Sequence, residues 1–247
     1  MSSRISTVLL VVAACGLAPF NSALAGWLPP DGTQVVVISA ESSQGSSSKG
    51  WLFPPGEIDG RYVWDLPGSY ELTGDGGLVG TIGDLGVGVE VDPALALNFT
   101  VTAGAVPTTF TITTAVLGFA PINNPLAFAT AAITVTDNDH DGAMTTGLQP
   151  GGKAYQARIN AGVPWANLVD MVMSLPDDSA TGSERRPTPS GREMIAGLVS
   201  SIQTEFKFTL TANDSASGTS RFDVIPEPAT LGLLVAGGLT LLRRRSR

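Results

Sequence analysis

The sequence predicts an all-β domain between two apolar terminal segments. Short runs rich in Val, Ile, Thr and Phe recur along residues 26–224, and Gly, Pro, Asn and Asp break them. No stretch of this region repeats apolar residues with the 3.6-residue period of a long amphipathic helix. Many short strands joined by turns favour an antiparallel β-sandwich of the immunoglobulin-like or jelly-roll style. We therefore expect one β domain over residues 26–224, which is long enough to bury a sizeable core.

Alternation of apolar and polar residues assigns the faces of the predicted strands. Phe206, Phe208 and Leu210 share one face, and the tryptophans Trp51, Trp64 and Trp165 are expected in the core. Residues 39–50 and 179–193, which are rich in Ser, Gly, Pro or Arg, are predicted to be exposed loops. The predicted strands cover residues 34–39, 61–66, 85–92, 95–103, 108–116, 127–136, 154–161, 167–175, 202–212 and 219–224.

Residues 1–25 have the pattern of a secretory signal peptide. Arg4 supplies a positive start, residues 5–17 are mostly apolar, and Ala23 and Ala25 place small residues where signal peptidase cleaves, before Gly26. The single cysteine, Cys15, lies in this segment, so the mature chain would have no disulfide and no thiolate. One alternative stays open, because the VAAC of residues 12–15 also fits a lipoprotein box that would make Cys15 a lipidated first residue.

The C-terminal segment, residues 225–247, contains an apolar run over residues 229–242 that ends in the basic cluster Arg243, Arg244, Arg245 and Arg247. As a helix, such a run spans about 21 Å, less than the bilayer core of about 30 Å. The arginines can reach the headgroups and the bilayer can thin locally, so the run can still cross. We expect a transmembrane helix over residues 229–242 with a cytoplasmic C-terminus, which leaves the body outside the inner membrane.

Pro226, Glu227 and Pro228 directly precede the apolar run. Neither proline has an amide hydrogen, so a helix cannot continue into this segment from upstream. Pro228 is compatible with a helix start, and Glu227 is favourable near a helix N-terminus. The sequence therefore predicts a stiff, extended hinge just ahead of the membrane helix, accessible to a membrane-embedded protease.

The hinge, the short apolar run and the arginines together resemble the PEP-CTERM sorting signal. The resemblance covers residues 225–247, and residues 92–223 more loosely resemble the uncharacterised β-rich domain of other proteins of this kind. It implies export, recognition of the hinge by an exosortase in a Gram-negative bacterium that makes exopolysaccharide, and loss of the tail on processing. The processed protein would then lie at the cell surface or outside the cell. An ordinary C-terminal membrane anchor is the alternative.

The charge of the body argues against nucleic acid as a partner. The whole chain has a formal charge of −8, but the body alone has 9 basic and 21 acidic residues, a net charge near −12. Such a surface repels phosphate backbones. It suits solubility outside the cell or the binding of divalent cations.

One loop has the spacing of a calcium site. Asp137, Asp139 and Asp141 occupy positions 1, 3 and 5 of a DxDxDG motif, a spacing that lets carboxylates converge on a calcium ion. Position 12, where the helical-loop family has a bidentate Glu, is Leu148. A calcium ion would therefore need a further ligand from elsewhere. The alternative is a solvated hairpin tip, with His140 as an exposed loop residue.

No other motif in the body indicates an enzyme. It lacks a G-x-S-x-G elbow and a phosphate-binding glycine loop with a lysine, and no catalytic residue is expected. We expect a structural or adhesive protein of the surface or extracellular matrix, associated with exopolysaccharide. A carbohydrate-binding module is the alternative, with Tyr62, Trp64 or Tyr155 stacked on sugar rings. A small polysaccharide hydrolase is a further one, since it would need only two carboxylates.

Overall fold

A computed structural model describes residues 34–52, 61–90 and 92–226, and this part of the chain is all-β. Its strands pair antiparallel and form two sheets. The strands are β1 (Gln34–Ser42), β2 (Gly45–Leu52), β3 (Arg61–Asp65), β4 (Tyr70–Gly74), β5 (Gly77–Glu90), β6 (Ala94–Ala103), β7 (Thr108–Thr114), β8 (Leu117–Asn123), β9 (Leu126–Thr136), β10 (Met144–Gly147), β11 (Tyr155–Ile159), β12 (Val163–Leu168), β13 (Val172–Met173), β14 (Ser179–Arg186), β15 (Glu193–Met194), β16 (Leu198–Leu210) and β17 (Ser215–Ile225).

The two sheets form the layers of a sandwich, as the sequence predicts. The first sheet has the order β12-β11-β16-β7-β1-β2, with β8 and β10 also on β16 and β13 on β10. The second has the order β14-β9-β17-β6-β5-β3, with β4 on β5 and β15 on β9. The long strands β16 and β17 belong to different sheets, so the turn between them carries the chain from one layer to the other.

Aromatic side chains of both sheets meet in the core. Phe99 of β6 lies 4.9 Å from Phe206 of β16, measured between ring centroids, and Trp165 of β12 stacks at 5.3 Å on Phe222 of β17. Each pair joins one sheet to the other, because alternating residues point inward. Trp165 is buried as predicted, whereas Trp51 and Trp64 are half-buried at the rim of the core.

Gly218 of β17 makes room for the Phe99 ring. A Cβ atom at this position would lie 2.2 Å from Cζ of Phe99, far inside van der Waals contact. The central strand of the second sheet therefore needs a residue without a side chain here.

Two segments predicted to be loops are strands instead. Within residues 39–50, β1 continues to Ser42 and β2 pairs with it along most of its length. Within residues 179–193, β14 pairs with β9 from Ser179 to Arg186. Both β2 and β14 end the strand order of their sheets. A strand in that position is held by backbone hydrogen bonds to one neighbour and can carry mostly polar side chains, so these segments lack the apolar pattern of an inner strand.

Two other strands differ in extent from their predictions. Residues 167–175 were expected to form one strand, but β12 ends at Leu168 and β13 begins at Val172. Val169 between them has a φ of 67°, which interrupts an extended chain. Strand β5 begins at Gly77, well before the predicted start at residue 85, because its glycine-rich first half pairs with β4 and β6.

The sandwich has two ends, which strand β17 connects. Strand β17 has 11 residues and runs from one to the other, a distance of about 35 Å at roughly 3.3 Å per residue. The acidic end consists of residues 137–143, 174–178 and 211–214, next to the start of β17. The exit end consists of residues 124–126, 160–163 and 193–198 together with Ile225 and Pro226, where β17 finishes.

The predicted signal peptide (residues 1–25), the remainder of the sorting motif (Glu227 and Pro228), the transmembrane helix (residues 229–242) and the arginines Arg243, Arg244, Arg245 and Arg247 lie outside the described residues. Among the residues that are described, no helix has the length and apolar character needed to cross a membrane.

Candidate metal centre

Strand register brings two aspartates of different hairpins together at the acidic end. Thr136, the last residue of β9, pairs with Ser215, the first residue of β17. Asp137 and Asp214 are the next residues outward along these two strands, so their side chains are neighbours. One carboxylate oxygen from each of Asp137, Asp139 and Asp214 lies within 4.8 Å of the other two.

The carboxylate of Asp137 is fixed by backbone amides. Its Oδ1 accepts hydrogen bonds from the amides of Asp139 and His140, at 3.3 and 3.0 Å, and its Oδ2 accepts one at 2.6 Å from the amide of Asp177. Burial would raise the pKa of Asp137, but these amides, with that of Gly142, hold its pKa below the usual value. These backbone amides therefore favour the ionised form of Asp137 and fix the direction of its carboxylate.

Asp214 is fully buried. Its Oδ1 accepts a hydrogen bond of 3.1 Å from the amide of Asn138, and its Oδ2 accepts one from the Thr211 hydroxyl. Burial raises the pKa of Asp214, and the nearby charges of Asp139 and Asp137 raise it further. A cation next to this carboxylate would offset the repulsion from Asp139 and Asp137 and favour the ionised form of Asp214.

Asp139 presents an oxygen that lacks a protein donor. Its Oδ2 accepts a hydrogen bond of 2.9 Å from the side-chain amide of Asn213. Its Oδ1 is buried and has no hydrogen-bond partner among the described residues. A buried carboxylate oxygen without a partner is costly, and a bound cation is one way to satisfy it.

The third predicted ligand, Asp141, is not a member of this three-oxygen group. The pKa of its carboxyl is raised, first by the polar interaction with the neighbouring Asp139 carboxyl and then by the charge of Asp139. Asp214 takes the third place in the group instead. Asp137 and Asp139 of the sequence motif therefore supply two of the three convergent oxygens. Asp214, in the turn before β17, supplies the third.

The remaining predictions for this loop concern His140 and Leu148. His140 is exposed, as predicted, and its Nδ1 is hydrogen-bonded to Asp177. That contact raises the pKa of His140. Leu148, at position 12 of the motif, follows β10 on the first sheet and is 47% exposed. The loop leaves strand β9 rather than a helix, which agrees with the expectation that the site departs from the helical-loop family.

The spacing of the three oxygens suits a hard cation. Ca²⁺ binds oxygen ligands at about 2.3–2.6 Å, so two ligands of one ion lie no more than about 5 Å apart. The separations within 4.8 Å meet that condition. Three carboxylate oxygens leave further positions of a six- to eight-coordinate ion to backbone carbonyls or water.

Sequence reasoning missed Asp214 because its partners are distant along the chain. The signal that could have found it is the turn sequence Asn213-Asp214 just before the last predicted strand. A carboxylate in a turn at one end of a sandwich is a ligand candidate only when the strand order is known, and the order was not readable from the sequence.

The aromatic residues proposed for sugar stacking are mostly in the interior. Tyr155 is fully buried and Tyr62 is 8% exposed, so neither can present a ring to a polysaccharide. Trp64 is half-buried and packs against Trp51, with ring centroids 5.8 Å apart. The exposed Tyr70 completes this cluster through an edge contact with Trp51, also at 5.8 Å.

The outer face of the second sheet carries an open groove of about 450 Å³. It runs over β14, β9 and β17, and its walls present hydroxyl and charged groups. The polar residues that line it are Thr130, Ser183, Glu184, Arg185, Thr219, Ser220 and Arg221.

Comparison with known proteins does not assign a family. No protein-family model matches the chain, and no curated protein matches it. Among solved structures it is similar to the VP2 subviral particle of infectious bursal disease virus, at 10% identity and a TM-score of 0.14 over 87% of this chain and 74% of the other. The Gt strain structure of the same virus gives 13% identity and a TM-score of 0.13 over 81% and 67%. Similarity at this level carries no argument about function.

Proposed function

We propose that this protein is exported, processed at its C-terminus by an exosortase, and retained as a structural or adhesive component of the cell surface or exopolysaccharide matrix. One observation supports the proposal above the others. Strand β17 ends at Ile225, and the exposed Pro226 follows it at once. The predicted sorting motif therefore begins directly after the last described strand.

The end of β17 is well anchored. Val224 is fully buried, and its amide donates a hydrogen bond of 2.9 Å to the carbonyl of Pro93. A protease that cuts at or after the Pro226-Glu227-Pro228 hinge would remove none of these contacts. The domain would keep its fold after release from the tail.

Substitution within the hinge tests the proposal. In a Gram-negative host with an exosortase, Glu227→Ala should leave the apolar tail on the protein and hold it in the membrane fraction, because insertion depends on residues 229–242 and recognition on the hinge. Glu71→Ala changes an exposed glutamate of β4 and is the matched control, which should be processed like the natural chain. Unchanged processing of Glu227→Ala would contradict recognition by an exosortase.

A second candidate function is calcium binding by Asp137, Asp139 and Asp214. The buried, unpartnered Oδ1 of Asp139, beside the fully buried Asp214, favours it. An ion held there would join the loop after β9 to the turn before β17, and it would stabilise a protein that works outside the cell. The melting temperature with and without calcium tests this function.

The alternative of a carbohydrate-binding module is favoured by the groove on the second sheet. Its hydroxyl and charged side chains are of the kind that hydrogen-bond to sugar hydroxyls. Replacement of Thr130 and Thr219 by Trp would fill the groove and should abolish binding to isolated exopolysaccharide. Thr111→Trp, on the outer face of the first sheet, is the control, and equal binding by all variants would contradict a site in the groove.

A further inference from the structure

We propose that, before processing, the exit end of the sandwich rests on the lipid headgroups of the membrane that holds the tail. The surface consists of Val163, Met194 and Leu198, which lie at the end of the sandwich where β17 finishes. This inference rests on the proposed function, because it requires the tail to be a membrane anchor.

The length of the hinge limits how far the domain can stand from the bilayer. Only Pro226, Glu227 and Pro228 separate the last strand residue from the apolar run. An extended chain spans no more than about 3.6 Å per residue, so Ile225 lies within about 14 Å of the start of that run. The headgroup region on one side of a bilayer is about 5–8 Å thick. The exit end is therefore held at or close to the headgroup layer.

Three exposed apolar side chains lie at this end. Met194 is 53% exposed and pairs with Leu126, which in turn pairs with Ile225. Leu198 is 62% exposed and begins β16 beside Asn124, whose amide donates a hydrogen bond of 2.8 Å to the carbonyl of Gly197.

Val163 completes the set. It is 55% exposed and follows the turn at residues 160–162. The side-chain amide of Asn160 in that turn donates a hydrogen bond of 2.8 Å to the carbonyl of Leu198. The two sheets and the β11–β12 turn thus each present an apolar side chain around the place where the tail leaves.

Charge favours the same orientation. Arg186 and Arg192, next to the exit end, are paired with Glu193 and Asp223, which leaves this region close to neutral. The loops of the acidic end contain six aspartates and no lysine or arginine, the six being Asp137, Asp139, Asp141, Asp177, Asp178 and Asp214. Anionic headgroups would repel the acidic end but not the nearly neutral exit end.

Exposed apolar residues also occur at the other end, and they supply the control. Met173 is 62% exposed, the same as Leu198, but it lies close to Asp177 and Asp178 at the acidic end. A contact driven by exposed apolar area alone would involve both positions. A contact set by the tail and by charge would involve Leu198 and leave Met173 in water.

The experiment uses the full-length chain with Cys15→Ser, which removes the only cysteine. A fluorophore is attached to a cysteine introduced by Leu198→Cys, Met194→Cys, Met173→Cys or, in the tail, Leu231→Cys. The protein is isolated from a host without an exosortase and reconstituted into vesicles of phosphatidylcholine and phosphatidylglycerol with brominated lipids. We expect loss of fluorescence at positions 231, 198 and 194, and none at position 173.

The outcomes separate the two proposals. Absence of quenching at position 231 would show that the tail does not insert, and both the anchor and the membrane contact would then be wrong. If the label at position 231 is quenched but the labels at positions 198, 194 and 173 are not, the tail inserts but the exit end does not contact the membrane. That result would overturn the contact alone. Equal quenching at 198 and 173 would also overturn it, because the domain would then have no preferred orientation.

Discussion

Asp137 and Asp214 are held side by side by the pairing of β9 with β17, and their carboxylate oxygens come within 4.8 Å. The two residues belong to different hairpins, so the close approach of their charges is a property of the sandwich rather than of the DxDxDG loop. A cation between them would tie together two connections that otherwise repel each other. The loop after β9 and the turn before β17 should therefore respond together to calcium.

Calcium should raise the melting temperature of the domain. A ligand that binds only the folded state adds about 2.7 kcal/mol at a hundredfold excess over Kd. For a domain of this size, each kcal/mol raises the melting temperature by roughly 2–4 °C. Millimolar calcium should therefore shift the wild-type transition by several degrees, and Mg²⁺ should do less because it gives up its water reluctantly.

The variants Asp214→Asn and Asp139→Asn should lose most of this calcium shift. Asp75→Asn changes an aspartate of the exposed β4–β5 turn and should keep it. If the wild-type transition does not move with calcium, the acidic loop is a solvated turn and the metal centre is wrong. If Asp214→Asn keeps the calcium shift and Asp141→Asn loses it, the ligands are those that the sequence alone predicts, with Asp141 in place of Asp214.

Gly218→Ala should destabilise the fold. The added methyl group would overlap the Phe99 ring, which is itself packed against Phe206 and Phe208. Overpacking of this kind costs about 1–3 kcal/mol in unfolding free energy, which denaturant titration measures. Gly83→Ala is the control, since its Cβ would lie at an ordinary 3.7 Å from Thr100. Equal unfolding free energies for the two variants would contradict the packing described for Phe99.

Asp223 should make stability depend on pH. Burial raises the pKa of its carboxyl, although the charge of Arg221 opposes the shift. A carboxyl with a raised pKa in the folded state stabilises the fold fully below its unfolded pKa of about 3.9, and this contribution is lost as the pH rises through the folded value. The unfolding free energy of the wild type should therefore fall relative to that of Asp223→Asn as the pH rises from about 4 to 7. Parallel pH profiles for the two proteins would show that the pKa is not raised.

Removal of the tail should leave the stability of the domain unchanged. A chain that begins at Gly26 and ends at Pro226 keeps all of β17 and should melt at the temperature of a chain that begins at Gly26 and ends at Arg247. A chain that ends at Phe222 loses the buried Val224 side chain, which is worth about 1.5–3 kcal/mol. Thermal unfolding of the three chains measures this, and a lower melting temperature for the chain ending at Pro226 would mean that the tail is part of the fold.

The sequence predicts most of the inner strands, but of the strands that end a sheet it predicts β3 and misses β2 and β14. Strand β9 and the second half of β16 alternate apolar and polar residues, because one face of each packs on the core. Strands β2 and β14 pair with one neighbour at the end of a sheet and are mostly polar, so they carry no such pattern. The order of the strands depends on contacts between residues that are distant in sequence, so no local pattern predicts it.

Prediction of the candidate site from the sequence was limited in the same way. Asp137 and Asp139 were identified because their spacing within one loop is a local property. Asp214 was missed because it becomes a neighbour of Asp137 only when β17 pairs with β9. Tyr62 and Tyr155 were candidates for an exposed surface, and both point into the interior. Residue type alone does not tell which face of a strand a tyrosine occupies.

The intact mass of the exported protein tests the proposed function most directly. The chain is expressed in a Gram-negative host with an exosortase and in the same host without it, and the mature protein is isolated and weighed. We expect a protein that begins at Gly26 and lacks the apolar tail in the first host, and one that keeps the tail in the second. A tail that is retained in both hosts, or removed in both, would contradict processing by an exosortase.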